Sequence, residues 1–262
     1  MGLERELSVA EHAVREAGVV VLSILNSGRL VVHIKNDGSP VTNADPESEL
    51  TMIKILSKEF PDYGFVGEET GETRKSGHKR WVLDGVDGTS SLVNGEKTWA
   101  ISLSLDDGGR TVLGAVYNPQ TREFYSGAEG IETKLNGQVL PKRMPAMPEK
   151  MVVNYTVPAS EERYLSIILE LRRQGKIDKI VSPGGSIAYN LAQVAEGANS
   201  CYIYRGTFQP WDFKAGEYLI RSIGGQVFAS EDNRLLVASK SPQFQEKIIG
   251  MLKERNFGGI QH

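Results

Sequence analysis

The chain has 262 residues, of which 40% are hydrophobic and 24% charged, and its net charge is −3. This composition is typical of a globular protein with a large core, in one domain or two packed halves. It argues against a nucleic-acid or membrane partner, and no apolar run reaches membrane-spanning length. A single cysteine excludes an intrachain disulfide. With a charged N-terminus that lacks a signal-peptide pattern, this predicts a cytoplasmic protein.

The first elements predicted along the chain are two helices separated by a short strand. Apolar residues at helical spacing predict a helix over about residues 3–25, and residues 31–34 are typical of a strand. Asp45 followed by Pro46 is typical of a helix start, with Asp45 as the N-cap residue. This second helix is expected to end near residue 60.

The segment that follows ends in acidic residues. Residues 61–70 contain a short strand that ends in Glu68 and Glu69. Taken alone, two acids at a loop entrance are typical of surface charge, and Lys35 upstream is likewise interpreted as a solvated charge. The polar residues 71–80 are expected to form a loop that could cover a site.

An apolar run over residues 81–83 is followed at once by Asp84, Asp87 and a Gly-Thr-Ser-Ser sequence. The run predicts a buried strand, and open α/β sheets bind ligands at the carboxyl ends of their strands. Gly88 permits close backbone approach, and the hydroxyl and N–H groups after it could hold an anion. Like charges about 4 Å apart repel by roughly 4 kcal/mol at an effective dielectric constant of about 20. The stretch therefore predicts a metal ion together with a phosphate, although a solvated Asp/Gly turn is the alternative.

The rest of the first half is expected to form an antiparallel meander, with strands over residues 98–105, 111–117 and 123–126 and a hairpin at Asn136-Gly137. The Pro-rich residues 141–149 are interpreted as a linker, which divides the chain into halves of residues 1–148 and 149–262. Strands and helices alternate in the second half. Its predicted strands cover residues 152–155, 177–181, 201–204 and 226–229, and its predicted helices cover residues 161–173, 186–196, 211–223 and 242–255.

Several motifs coincide in one order along the chain. They are Ser39-Pro-Val-Thr-Asn-Ala-Asp45, Gly67-Glu68-Glu69, Asp84-Gly-Val-Asp87-Gly88-Thr89, Gly185-Ser186, and Trp211-Asp212 with Ala215-Gly216. Over nearly its whole length the chain thereby resembles the magnesium-dependent, lithium-sensitive inositol monophosphatase family. The resemblance implies an α/β (α+β) fold, a layered αβαβα sandwich in which two halves share one cleft. It also implies a homodimer.

The resemblance further implies a role for each matching position. The metal ligands would be Glu68, Asp84, the backbone carbonyl of Val86, Asp87 and Asp212, holding two Mg²⁺ ions and a weaker third. Such hard oxygen ligands favour Mg²⁺ or Mn²⁺ over Zn²⁺. Thr89 and Asp45 would orient and deprotonate the attacking water. The substrate-binding residues would be Asp87, Gly88, Thr89, Ser90, Gly185, Ser186 and Arg205.

Three departures from the family pattern leave the substrate open. Gly85 stands where the family usually has Pro, which loosens the turn that aims the Val86 carbonyl. Arg205 lies where inositol-specific members carry a Glu, and a basic residue suits a second phosphate better than a neutral polyol. Ile187 follows Gly-Ser where many members have Ala, which narrows the pocket. The predicted function is a Mg²⁺-dependent phosphomonoesterase for a small phosphorylated metabolite, inositol monophosphate first. Nucleotide bisphosphate, fructose bisphosphate and histidinol phosphate are the alternatives.

Two other functions are considered. The haloacid-dehalogenase class also uses Asp-Gly-Thr, but its nucleophile would fall at Gly85, so the spacing excludes it. A relative that binds metal and anion without turnover remains open. Gly85 favours that alternative, whereas the presence of every ligand residue opposes it.

Overall fold

The computed structural model describes residues 2–73, 77–142, 151–157, 162–182 and 184–254. Within them the chain forms seven helices, which are α1 (Glu4–Asn26), α2 (Ala44–Glu59), α3 (Thr89–Val93), α4 (Glu162–Arg173), α5 (Ile187–Glu196), α6 (Pro210–Ser222) and α7 (Pro242–Glu254). None of these helices combines the length and the apolar character that a bilayer crossing requires.

The strands of the same residues form two large sheets and a small ribbon. The ribbon consists of β1 (Val32–Ile34) and β2 (Pro40–Thr42). The first large sheet contains β3 (Gly64–Gly67), β4 (Gly71–Thr73), β5 (Lys79–Asp87), β6 (Ala100–Asp107), β7 (Arg110–Asn118), β8 (Glu123–Ala128), β9 (Ile131–Leu135) and β10 (Gln138–Val139). The second contains β11 (Val152–Thr156), β12 (Lys179–Val181), β13 (Cys201–Arg205), β14 (Gln226–Ala229) and β15 (Leu235–Ser239).

The first large sheet is the predicted meander, because β5 to β10 pair antiparallel in chain order. Strand β3 joins it parallel to β5. The second sheet has the order β12-β11-β13-β15-β14, with parallel pairs at β11 and antiparallel pairs at β15. The predicted hairpin at Asn136-Gly137 is confirmed. Its two residues have φ of 49° and 83°, as a two-residue turn of positive φ requires.

Three apolar cores show how the layers stack. Helices α1 and α2 cover one face of the first sheet, where Val14 and Leu56 pack with Leu103. Helices α5 and α6 lie between the two sheets, where Leu191 contributes to the core. Helices α4 and α7 cover the outer face of the second sheet, where Phe244 is buried. The predicted αβαβα sandwich is therefore confirmed.

Helix α2 begins two residues before the predicted start. Asn43, not Asp45, occupies the N-cap position, so the prediction for Asp45 was wrong. The physical reason is that the Asp45 carboxylate is buried and bonded elsewhere. It accepts hydrogen bonds from the Thr42 N–H at 3.0 Å and the Thr42 hydroxyl at 2.6 Å.

Other boundaries differ from the prediction as well. The expected loop over residues 71–80 contains β4 and the start of β5. Both strands form there because β4 pairs with one edge of β3 and β5 pairs with the other. Strand β15 was not predicted, although it lies inside the second sheet. Residues 143–149 of the predicted linker, residues 74–76 of the loop, and residues 161 and 255 at helix ends lie outside the described residues. The division of the chain at residue 148 therefore stays a prediction.

Helix α2 approaches strand β5 very closely at Gly85. A Cβ atom on Gly85 would lie 2.3 Å from the Asp45 carbonyl oxygen and 3.0 Å from the Ser48 Cβ. The Ser48 hydroxyl donates a hydrogen bond to the Gly85 carbonyl at 2.9 Å. The pairing of β5 with β6 shifts register between Asp84 and Asp87. Such irregularities bend a strand and re-aim its side chains.

We expect Gly85→Ala to lower the free energy of unfolding by about 1–3 kcal/mol, because the added methyl group must push α2 away from β5. Thermal and denaturant unfolding in EDTA would measure this. Gly250→Ala in α7 is the matched control, since a Cβ there meets nothing within 4 Å. An equal response of the two variants would contradict the close contact.

Candidate active site

Three carboxylates that are far apart in sequence meet at one place. One oxygen each of Glu68, Asp84 and Asp212 lies within 4.8 Å of the others. Glu68 directly follows β3, Asp84 lies in β5, and Asp212 lies in the first turn of α6. Three carboxylate oxygens at this spacing are suited to a hard divalent cation such as Mg²⁺ or Mn²⁺.

The electrostatics of the cluster point to the same ligand. Burial, followed by the negative charges of Glu68, Asp87 and Asp212, raises the pKa of Asp84 well above its ordinary value. Burial and the charge of Asp87 do the same to the pKa of Asp212. Carboxylates this close to one another, with Asp84 and Asp87 buried, do not all ionise without a compensating positive charge. These residues therefore fit a divalent cation.

Asp87 is held from the opposite side by the start of helix α5. Its Oδ2 atom accepts hydrogen bonds from the Ser186 hydroxyl at 2.6 Å and the Ala188 N–H at 2.7 Å. Burial raises the pKa of Asp87 to about 7, although these hydrogen bonds oppose the shift. The negative charge of Asp87 acts on both Asp84 and Asp212, so it belongs to the same electrostatic unit.

The Gly185-Ser186 motif is explained by close packing around Asp87. Ser186 is fully buried, and its hydroxyl also accepts the Tyr189 N–H as the N-cap of α5. A Cβ on Gly88 would lie 2.6 Å from the Ser186 nitrogen, and one on Gly185 would lie 2.0 Å from the Thr98 carbonyl oxygen. Both glycines have positive φ. Direct substrate contact by Ser186 and Gly185 stays a prediction.

The predicted Thr89–Asp45 pair is formed in the structure. The Thr89 hydroxyl lies 2.8 Å from Asp45 Oδ1 and 2.9 Å from the Val86 carbonyl oxygen, and it can donate to either. Burial raises the pKa of Asp45, while hydrogen bonds from Thr42 and Thr89 oppose that shift. Ser90 is exposed at the next position of α3. Through the Val86 carbonyl, the pair contacts the end of β5, which carries Asp84 and Asp87.

Lys35 is a residue of the site that sequence reasoning missed. Its Nζ atom lies 2.6 Å from Glu68 Oε1 and 2.5 Å from Glu69 Oε1. Although burial opposes a charge there, the hydrogen bonds to these two acids raise the pKa of Lys35. Lys35 and Glu69 are thus paired and partly buried, and their interpretation as plain surface charges was wrong. No local pattern indicates this contact, because 33 residues separate Lys35 from Glu68.

Arg205 is not brought together with the other predicted site residues. Its guanidinium lies over the ring of Tyr164 in α4, 5.3 Å from the centroid. Side chains alternate along a strand, so the adjacent Tyr204 faces the opposite way. Burial, then the charges of Asp212 and Asp87, raise the pKa of Tyr204 to about 12, which places Tyr204 on the side of the cluster. Substrate binding by Arg205 stays a prediction.

Residues 3–255 match the family model described as the inositol monophosphatase family. The chain belongs to the inositol monophosphatase family. A fructose-1,6-bisphosphatase/inositol-1-monophosphatase of Aquifex aeolicus (strain VF5) is 30% identical over 232 residues, which cover 85% of each protein. The Nus factor SuhB of Escherichia coli (strain K12) is 28% identical over 258 residues, 95% of this chain and 96% of that protein.

A solved structure confirms the fold of the family. The extragenic suppressor protein suhB of Bartonella henselae superposes with a TM-score of 0.84 and 24% identity, covering 98% of this chain and 100% of that one. The resemblance and the fold class predicted from the sequence are therefore both confirmed. Members of the inositol monophosphatase family are phosphatases of small phosphorylated substrates and are generally metal-dependent, in keeping with the acidic cluster.

The raised pKa of Asp87 makes the stability of this protein in the absence of metal depend on pH. In the folded protein Asp87 keeps its proton up to about pH 7, whereas in the unfolded chain an aspartate releases it near pH 4. The free energy of unfolding in EDTA should therefore fall as the pH rises from about 4 to about 7. Asp87→Asn removes this ionisation, so its stability relative to wild type should rise over the same interval, between about pH 4 and about pH 7. Denaturant unfolding would measure it, with the exposed Asp178→Asn as control. Parallel pH curves for wild type and Asp87→Asn would contradict it.

Lys35 supplies the positive charge that a metal would otherwise bring to Glu68. We expect Lys35→Met to lower stability in EDTA by about 1 kcal/mol, because two acids lose their partner in a partly exposed pair. We also expect it to bind Mn²⁺ more tightly, because no internal cation competes. Thermal unfolding with and without Mn²⁺ would test both effects, with the exposed Lys54→Met as control. Weaker Mn²⁺ binding by Lys35→Met would show that Lys35 supports the metal instead of competing with it.

Proposed function

We propose that the protein is a Mg²⁺-dependent phosphomonoesterase that hydrolyses a small phosphorylated metabolite, with inositol monophosphate as the first candidate. The observation that carries this proposal is the convergence of Glu68, Asp84 and Asp212 beside the hydrogen-bonded Thr89–Asp45 pair. One group of residues is suited to metal, and the other is suited to activating water. Metal-assisted attack of water on a phosphate ester uses both.

The metal-holding residues would be Glu68, Asp84 and the Val86 carbonyl for one ion, and Asp84, Asp87 and Asp212 for another, with a weaker third near Glu68. Bound there, Mg²⁺ or Mn²⁺ would neutralise phosphate charge and acidify a water molecule. Most of the remaining rate enhancement would come from positioning of the substrate.

Thr89 and Asp45 would remove the proton from the attacking water. Asp45, fixed by Thr42, accepts a hydrogen bond from the Thr89 hydroxyl, which turns a lone pair of that oxygen towards the water. Thr89 would thereby orient the water, and as the water's proton passes to the Thr89 oxygen, the Thr89 hydroxyl proton would pass to Asp45. The predicted anion contacts are the N–H groups of Gly88 and Thr89 together with Ser90.

The choice of substrate rests on two observations. Arg205 lies over Tyr164, so the argument for a second phosphate loses its main support in this conformation. The name of the Aquifex aeolicus relative includes fructose-1,6-bisphosphatase as well as inositol-1-monophosphatase, which keeps fructose bisphosphate as the second candidate. Nucleotide bisphosphate and histidinol phosphate are retained for the assay. A homodimer, lithium inhibition, a cytoplasmic location and a cleft shared by the two halves also remain proposals.

The alternative of a relative without turnover depended on a loose turn at Gly85. That turn is held on both sides, since Ser48 bonds the Gly85 carbonyl and Asp84 Oδ1 accepts the Val86 N–H at 2.8 Å. The space a proline ring would need is filled by α2. The contacts at Gly85 therefore support the catalytic proposal.

A phosphate-release panel would test the proposal directly. Wild type would be assayed on inositol phosphate, fructose bisphosphate, histidinol phosphate, adenosine bisphosphate and NADP, with Mg²⁺, with EDTA and with Li⁺. We expect Mg²⁺-dependent release that Li⁺ inhibits and that Asp84→Asn abolishes. Mn²⁺ binding without turnover on any of these substrates would favour the non-catalytic alternative.

Thr89→Ala should lower kcat by about 10²–10⁴-fold, because it removes a positioned proton-transfer group. KM should change far less, since the metal ligands and backbone contacts remain. Steady-state kinetics on the best substrate of the panel would separate the two constants. Thr51→Ala, at a partly exposed position of α2, is the matched control. Comparable losses in kcat and in substrate affinity would count against Thr89 as the water-activating residue.

A further inference from the structure

The first turns of helix α2 bury a polar face. Asp45, Ser48 and Glu49 are spaced so that they share one side of the helix, and all three are buried. Acidic side chains are rarely buried completely unless they are paired or hydrogen-bonded. Asp45 contacts Thr89 and Ser48 contacts Gly85, as described above. Glu49 has no part in the proposed chemistry, so its burial needs another explanation.

The Glu49 carboxylate binds the turn that follows Glu68. It accepts the Glu69 N–H at 3.1 Å, the Thr70 N–H at 2.9 Å and the Thr70 hydroxyl at 2.7 Å. All three groups are hydrogen-bond donors. The two oxygens of a carboxylate can accept from all of them, whereas an amide would turn its NH₂ group towards at least one donor. Hydrogen bonds to a charged acceptor are also the stronger ones.

The packing on the other side of Glu68 is equally close. A Cβ on Gly67 would lie 2.5 Å from Glu49 Oε2 and 2.3 Å from the Thr70 hydroxyl oxygen. Position 67 therefore accepts only glycine without displacing Glu49. Glu68 thus lies between Gly67, which packs on the Glu49 carboxylate, and the two residues Glu69 and Thr70, which donate hydrogen bonds to that carboxylate.

We propose that Glu49 is a positioning residue for the metal site. It holds the turn over residues 67–70 so that the Glu68 carboxylate faces Asp84 and Asp212. The same rigid helix holds Gly85 through Ser48, so α2 sets the separation of the two strands that carry Glu68 and Asp84. This inference rests on the proposed metal site and does not depend on turnover.

Glu49→Gln would test the proposal, because it keeps the size of the side chain and turns an NH₂ group towards donors. We expect its Mn²⁺ affinity to fall about 10–100-fold, the usual effect of losing a group that orients a metal ligand. Calorimetry or electron paramagnetic resonance of bound Mn²⁺ would measure this. Glu47→Gln is the matched control, since Glu47 is exposed on the same helix, and its Mn²⁺ affinity should equal that of wild type.

Two further measurements separate positioning from general stabilisation. If Glu49 positions Glu68, the Mg²⁺ concentration for half-maximal activity rises in Glu49→Gln, and saturating Mg²⁺ restores most of kcat. A residue that only stabilises the fold would lower Tm and leave Mn²⁺ affinity unchanged, which would overturn the proposal. If Glu49→Gln does not fold, Thr70→Val decides, because it removes one donor to Glu49 and should weaken Mn²⁺ binding several-fold. Failure of wild type to bind Mn²⁺ would refute the metal site itself.

Discussion

Repulsion between carboxylates around the buried Asp84 is the constraint on which the rest of the structure depends. Glu68, Asp84 and Asp212 converge within 4.8 Å, where each like-charged pair repels by roughly 4 kcal/mol at an effective dielectric constant of about 20. The fold holds them there through backbone donors. Asp84 accepts the Val86 N–H, and Asp212 accepts the Gln209 N–H at 2.6 Å. The geometry is therefore prepared for a cation, and Lys35 partly supplies the missing charge.

The layered architecture explains how these acids are supported. The two helices of the middle layer begin at the site, α5 at Asp87 and α6 at Asp212. A helix N-terminus carries partial positive charge, so both aspartates lie where a helix favours a negative charge. Helix α2 adds a third support from the outer layer, through Glu49 and Ser48. The sheets bring the acids together, and three helix starts fix their side chains.

Much of the site could be predicted because its acidic residues lie in ordered local motifs. Glu68, Asp84 and Asp212 each stand in such a motif, and the structure brings them together. The roles of Lys35 and Glu49 could not be predicted, because their partners are 33 and 20 residues away and no periodicity marks them. Propensity alone gave the wrong N-cap role for Asp45, whereas the family resemblance implied its contact with Thr89, which spans 44 residues. The orientation of Arg205 depends on the alternation along β13, which composition does not reveal.

The tight contact at Gly85 also bears on how the chain can change over time. Where the family usually has proline, this chain has no room for a side chain, since the Asp45 carbonyl fills the space. Restoring the common residue would require α2 to retreat, and that retreat would also disturb Ser48 and Glu49. A substitution at position 85 is therefore coupled to the packing of a helix that lies about 40 residues upstream.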